Sequence, residues 1–133
     1  GMAAAFAAGA EGIQMGTRFV SSEESPVHEN FKGAIVNGSE QGTYILNKKS
    51  KPCIRALRTD LTDKIYEEGQ MDMSALGGIK DLYFGGDMNA APALAGQSIG
   101  LINKVMPVEE IIKQTMQEFN TVCDTLTNSK FEL

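Results

Sequence analysis

Gln14-Met15-Gly16-Thr17 is the run in this sequence whose residue types are best suited to chemistry. A glycine followed by a hydroxyl, at the end of a short β-prone segment, offers open backbone N–H groups and a side-chain donor. A phosphate is bound by several short donors with no Cβ obstructing its approach. Four residues alone serve equally well as a plain strand-end turn, and both readings stand at this point. Conventional catalytic constellations are missing. With a single histidine, His28, no Ser-His-Asp arrangement can be argued from spacing, and no CxxC, HExxH or P-loop pattern occurs. His28 falls in the first turn of an expected helix, where a solvent-facing or locally hydrogen-bonded ring is the default. No catalytic residue and no metal ligand are therefore assigned.

Cys53 and Cys123 lie far apart without metal-type spacing, and His28 cannot complete a site with them. They are expected to be buried thiols in a reducing, cytoplasmic compartment. The run Lys48-Lys49-Ser50-Lys51 admits an anion-binding reading, but no aromatics interleave with it, so a solvated loop is the better expectation. Net charge is -5, with 12 basic residues dispersed among 17 acidic ones, which argues against a nucleic-acid surface. The 42% hydrophobic and 22% charged content fits a packed core in a chain of 133 residues, about one domain. No run approaches the ~20 apolar residues of a membrane helix.

The elements that must position these residues follow from periodicity and caps. Alanine-rich residues 3–10 predict a short helix stopped at Gly9, and residues 12–15 a buried parallel strand. Ser25 as N-cap and Pro26 as first residue predict a helix burying Val27, Phe31, Ala34 and Ile35. Residues 43–46 predict a strand. Leu57, Leu61 and Ile65, spaced by four, predict one helix over 54–68. A weaker helical stretch over 71–82 is interrupted at Gly77-Gly78, and Asp87 is expected to cap a helix near Met88. The small residues of 90–100 imply close backbone approach to a neighbour or ligand. Pro107 opens a long amphipathic helix to about residue 128, with Ile111, Ile112, Phe119 and Val122 expected inside. The chain thus divides into an αβ step at 1–20, a helical segment at 21–86 and a C-terminal segment at 87–133. The fold expected is mainly α, α+β at most.

Longer runs sharpen the reading. AGAEGIQMGTRF at 8–19, ESPVHENFK at 24–32, RALR at 55–58, GD at 86–87 and AGQSIGLI at 95–102 resemble the nitronate monooxygenase family, the 2-nitropropane dioxygenases. The flavin-dependent enoyl-acyl-carrier-protein reductases share a similar GTRF segment. The resemblance implies an FMN oxidoreductase on a TIM barrel, with this chain its helical C-terminal portion holding only the last barrel strand. It makes Gln14, Met15, Gly16 and Thr17 the FMN phosphate loop and places Gln97 and Ser98 near the flavin and substrate pocket. A TIM barrel takes about 250 residues, so the family's catalytic histidine is expected upstream, and His28 is not that residue. FMN binding by this chain alone is expected to be weak or absent. Two other readings remain: a non-catalytic helical protein that self-associates, and an interaction module that meets the missing barrel portion in trans. Apolar faces left uncovered predict a dimer, with elements exchanged between copies.

Overall fold

A hairpin organises the fold in a computed structural model that describes residues 1–129. Strand β1 (Thr43–Leu46) runs antiparallel to β2 (Ile54–Leu57), with Thr43 opposite Leu57 and Leu46 opposite Ile54. β1 lies where the β-prone run places it. β2 corrects the expectation of a single helix over 54–68, because the helix, α4, occupies only Asp60–Glu68. Thr59 sets its start. Its hydroxyl accepts from the Thr62 N–H at 3.3 Å, while its own N–H donates to Thr62 Oγ1 at 2.7 Å. Upstream of that cap, the free edge of β2 takes residues 93–95. The Leu57 N–H donates to the Ala93 carbonyl at 2.8 Å, and the Ala95 N–H to that of Arg55 at 3.2 Å. Ala91, Ala93 and Ala95 are all buried, which accounts for the small side chains of this stretch.

Two cores result. The larger joins Phe31 and Ile35 to Leu57, Leu82 and Ile99, and the smaller joins Leu46 and Ala56 to Ile65 and Met71. Phe31 and Ile35 come from α3 (Glu29–Val36), which begins three residues later than Pro26. Its N-cap is His28 instead of Ser25: Nδ1 accepts from the Asn30 N–H at 3.1 Å. α5 (Ile79–Tyr83) contributes Leu82, after a 3-10 turn at Met73–Leu76. Asp87 caps a turn and no helix, accepting from the Asn89 N–H at 2.9 Å. The alanine stretch beyond it is drawn out along β2.

Residues 12–15 form no strand. A parallel strand needs neighbours on both edges, and among the described residues none lies beside this one, so Ile13 stands exposed. α1 (Met2–Ala7) is followed by Gly9 at φ +94°, a backbone conformation that favours glycine, as the stop signal implied. α1 lies against α6 (Val108–Asn128), with the Phe6 and Phe119 rings 5.6 Å apart. Pro107, expected as the first helical residue, is the N-cap of α6, which begins one position later at Val108. The expected inward stripe is corrected too: Ile111 is buried and Phe119 half-buried, but Ile112 is 49% exposed and Val122 is exposed. Among the described residues α1 is the element packed most on α6, and it does not cover the whole stripe. Both cysteines are free thiols, as expected, but Cys53 is exposed in the hairpin loop and Cys123 only half-buried, against the expectation of burial. Among the described residues no helix is long and apolar enough to cross a membrane.

Candidate functional site

A single hydrogen bond brings the two candidate segments together. The Gly96 N–H donates to Thr17 Oγ1 at 2.9 Å across 79 positions, seating the 96–103 chain against residues 13–18. Both segments face α6 across an open cleft of about 590 Å³. Gln14, Met15, Gly16 and Thr17 all line it, as does Ser98. Gln97 does not: it opens the 3-10 turn Gln97–Leu101 and is exposed outside the lining.

Three features of the 14–17 corner suit an anion. At Gly16, φ is an ordinary -94° and a Cβ would meet nothing within 4 Å. Neither backbone strain nor crowding within the chain demands glycine there, so the space is open to a group from outside. Thr17 uses its oxygen to accept from Gly96 and keeps its hydroxyl hydrogen to donate. The short helix α2 (Thr17–Val20) starts here, and its first N–H groups have no acceptor within the helix.

Arg18 holds this corner to the start of α6. Its guanidinium donates to the Lys104 carbonyl at 2.8 Å and to Met106 Sδ at 2.6 Å. Burial lowers its pKa from the ordinary arginine value, and a guanidinium still remains charged at neutral pH. The seam continues along the chain. The Glu23 N–H donates to the Met106 carbonyl at 3.0 Å, and the Glu24 carboxylate accepts from the Val108 N–H at 2.9 and 3.0 Å. That carboxylate sits at the positive end of α6, where a negative charge is favoured. Residues 18–24 therefore set where α6 begins, and with it the far wall of the cleft.

The far wall carries Ile111, Gln114, Thr115 and Glu118, with Gln114 Nε2 donating to Glu118 Oε1 at 2.7 Å. Sequence reasoning missed Arg18, Gln114 and Glu118 as lining residues. The i,i+4 spacing of Gln114 and Glu118 was the available signal, but it resembles an ordinary solvated pair. His28 lies outside the lining; its N–H donates to the Tyr83 carbonyl at 2.7 Å and its ring caps α3. Among the described residues no three His, Cys, Asp or Glu side chains gather to hold a metal ion. The donors at residues 14–17 fit the phosphate end of a flavin nucleotide. Cleft residues supply no histidine for its ring end.

FabK from Thermotoga maritima superposes on 94% of this chain and 42% of its own, with TM-score 0.86 and 38% identity. A mutant of the same protein covers 95% and 40%, with TM-score 0.83 and 40% identity. A (3aS,4S,5R,7aS)-5-hydroxy-7a-methyl-1-oxo-octahydro-1H-indene-4-carboxyl-CoA dehydrogenase from Rhodococcus jostii is 38% identical over 71 residues, 53% of this chain and 20% of the relative. A probable nitronate monooxygenase from Staphylococcus saprophyticus is 34% identical over 67 residues, 50% and 19% respectively. The chain spans about a fifth of the length of these two relatives. The family model for nitronate monooxygenase matches residues 1–118. With that match across most of its length, this mainly helical chain belongs to the nitronate monooxygenase family.

Proposed function

We infer that the chain forms the phosphate end of an FMN site in an oxidoreductase of the nitronate monooxygenase family. The observation that carries this reading is the Thr17–Gly96 bond, which puts residues 14–17 and Ser98 on one cleft. When bound, the flavin supplies the redox chemistry. Gly16 leaves room for the phosphate, and the Thr17 hydroxyl donates to it. Arg18 adds positive charge at the same corner while holding its wall in place. Ser98 lines the same cleft and is the residue of the 97–98 pair available to a bound group, whereas Gln97 lies outside the lining.

The same inventory limits the activity. A flavin oxidase needs groups that tune the ring and a base within hydrogen-bond reach of substrate, and this cleft offers neither histidine nor lysine among its lining residues. A phosphate cradle gives a few hydrogen bonds, each worth about 1 kcal/mol net, or more when charge-assisted. A Kd of about 1 mM already needs about 4 kcal/mol. The chain alone therefore binds FMN weakly and does not turn over a nitronate. The experiment is oxygen consumption with an alkyl nitronate, FMN and purified protein. Rates at the free-flavin background are expected, and micromolar FMN binding with turnover above it would overturn the reading. A second reading sets the substrate branch nearer FabK, favoured by 40% identity over 95% of the chain against 34% over half for the nitronate monooxygenase.

The uncovered stripe of α6 supports association with a second copy. Met116 and Val122 are each 43% exposed, with Ile112 and Leu126 beside them. Exposed apolar patches beyond a few hundred Å² are uncommon on monomers. A dimer is expected in sedimentation at micromolar concentration. A clean monomer contradicts it, and a co-purifying longer polypeptide assigns the face to a missing barrel portion instead.

A further inference from the structure

Away from the cleft, a cavity of about 250 Å³ lies between the end of β1 and the last turns of α4. Ile45 and Ile65 give it apolar walls, and Lys48 and Lys49 stand at it together with Tyr66. Both lysines are exposed, and Lys48 is the one held by a contact. Lys48 Nζ sits 4.9 Å from the centre of the Tyr66 ring, and that ring stacks on Tyr44 at 4.2 Å. Arg58 covers the far side of the pair, 4.7 Å from the Tyr44 ring centre, and takes Asp63 at 4.0 Å. Lys49 Nζ lies 3.9 Å from where a Cβ would stand on Gly69, at the C-terminal end of α4. Among the described residues neither lysine has a carboxylate at ion-pair distance.

The two walls are joined by one buried side chain. Asn47, 3% exposed and at φ +59°, donates from Nδ2 to the Pro52 carbonyl at 2.9 Å, and its Oδ1 accepts from the Met71 N–H at 3.4 Å. A non-glycine residue held at positive φ is uncommon, and asparagine tolerates it best. Here it fixes the lysine turn relative to the chain leaving α4. The sequence run 48–51 lacks interleaved aromatics, but the fold supplies them from β1 and α4.

We propose that this cavity is a second ligand site, separate from the cleft, that takes a small phosphate monoester. Two ammonium groups, one seated on the Tyr66 ring and one free to turn inward, match a dianionic phosphate as point charges, while Ile45 and Ile65 accept a short apolar body. The volume is below the range of drug-sized pockets, which limits that body to about one ring. The proposal does not rest on the flavin reading.

The test is an amide NMR titration of the whole chain with phenyl phosphate, inorganic phosphate and neutral benzyl alcohol. Saturable shifts are expected at residues 45–49 and 65–69 with phenyl phosphate, with inorganic phosphate at least about fivefold weaker and benzyl alcohol without saturation. Replacing both Lys48→Met and Lys49→Met is expected to weaken phenyl phosphate at least tenfold, and Lys48→Arg with Lys49→Arg to restore most of it. Tyr66→Leu, which removes the seat of Lys48, is expected to cost about threefold. Thr17→Val changes the cleft and is expected to leave these shifts unaltered. No saturable shift at 45–49 and 65–69, or shifts that survive the double methionine variant, overturns the proposal. Shifts confined to 14–17 speak for the cleft and against this cavity.

Discussion

The cleft at residues 14–17 is closed by bonds that span 79, 84 and 86 positions, from Thr17 to Gly96, Glu24 to Val108 and Arg18 to Lys104. The cavity at Lys48 and Lys49 is closed by Asn47, whose bonds span 5 and 24 positions. The cavity rests on paired strands, a capped helix and a small core of its own. Its counterpart rests on irregular segments whose donors face outward and on a helix held mainly at its first turn. Loss of a few long-range bonds opens the cleft while the hairpin unit stays closed, since local stability follows the number of buried contacts.

The largest effect is expected from the unit that stands on local packing. Leu46→Ala removes a fully buried side chain from the smaller core and should cost about 2–5 kcal/mol in urea unfolding. A loss under about 0.5 kcal/mol, the size of an ordinary surface change, contradicts a packed core under the lysine cavity. Arg18→Met probes the other region. Its hydrogen bonds are partly solvated, so about 1–2 kcal/mol is expected. The sharper readout is hydrogen exchange: amides around 14–18 and 104–108 should exchange faster while those of β1 and β2 stay protected. Equal acceleration in both regions erases the contrast. Smaller again is Ile112→Ala measured in the dilute monomer, expected within about 0.5 kcal/mol of wild type because the side chain is half in solvent there. A loss of about 2 kcal/mol or more in the dilute monomer contradicts that exposed position.

The least effect is a local pH response on the hairpin side. The Ser74 backbone N–H, donating to Asp72 Oδ1 at 2.7 Å, and the Ser74 hydroxyl hold the Asp72 carboxyl below its ordinary 3.8. The 3-10 turn at Met73–Leu76 carries Ala75 and Leu76, which pack on the smaller core. A lowered folded pKa gives a contribution that is fully present above the ordinary value and is lost as pH falls through the folded one. The Ser74 amide shift, followed by NMR from pH 5 downward, should therefore titrate below 3.8, with the cleft amides unaffected. Titration at or above 3.8 removes the cap from the account.

What the sequence disclosed follows the same division. β1, the stop at Gly9 and the start of α6 near Pro107 were readable because short-range turn and cap chemistry decides them. β2 was hidden because Leu57, Leu61 and Ile65 imitate a helical period, and only pairing with β1 and residues 93–95 breaks it. Residues 12–15 show the converse: the local pattern of a strand, with no edge to pair against. In the cleft, Gln14 to Thr17 and Ser98, grouped by the resemblance, line one space, while Gln97 of the same grouping does not. Arg18 was passed over because its partners, Lys104 and Met106, are invisible to spacing. At the second cavity Lys48 is seated by Tyr66, 18 positions further along the chain, beyond the reach of a local reading of the basic run.

One measurement bears most directly on the central claim, that residues 14–17, with Gly96 and Ser98 beside them, form the phosphate end of a flavin site. It is an amide NMR titration of the chain with FMN, repeated with riboflavin, which lacks the phosphate. The account predicts saturable shifts at Gly16, Thr17, Gly96 and Ser98 with a Kd of about 0.1–1 mM for FMN, at least tenfold weaker for riboflavin, and weakened again by Thr17→Val. Equal affinity for FMN and riboflavin, or FMN shifts that leave residues 14–17 unmoved, contradicts it.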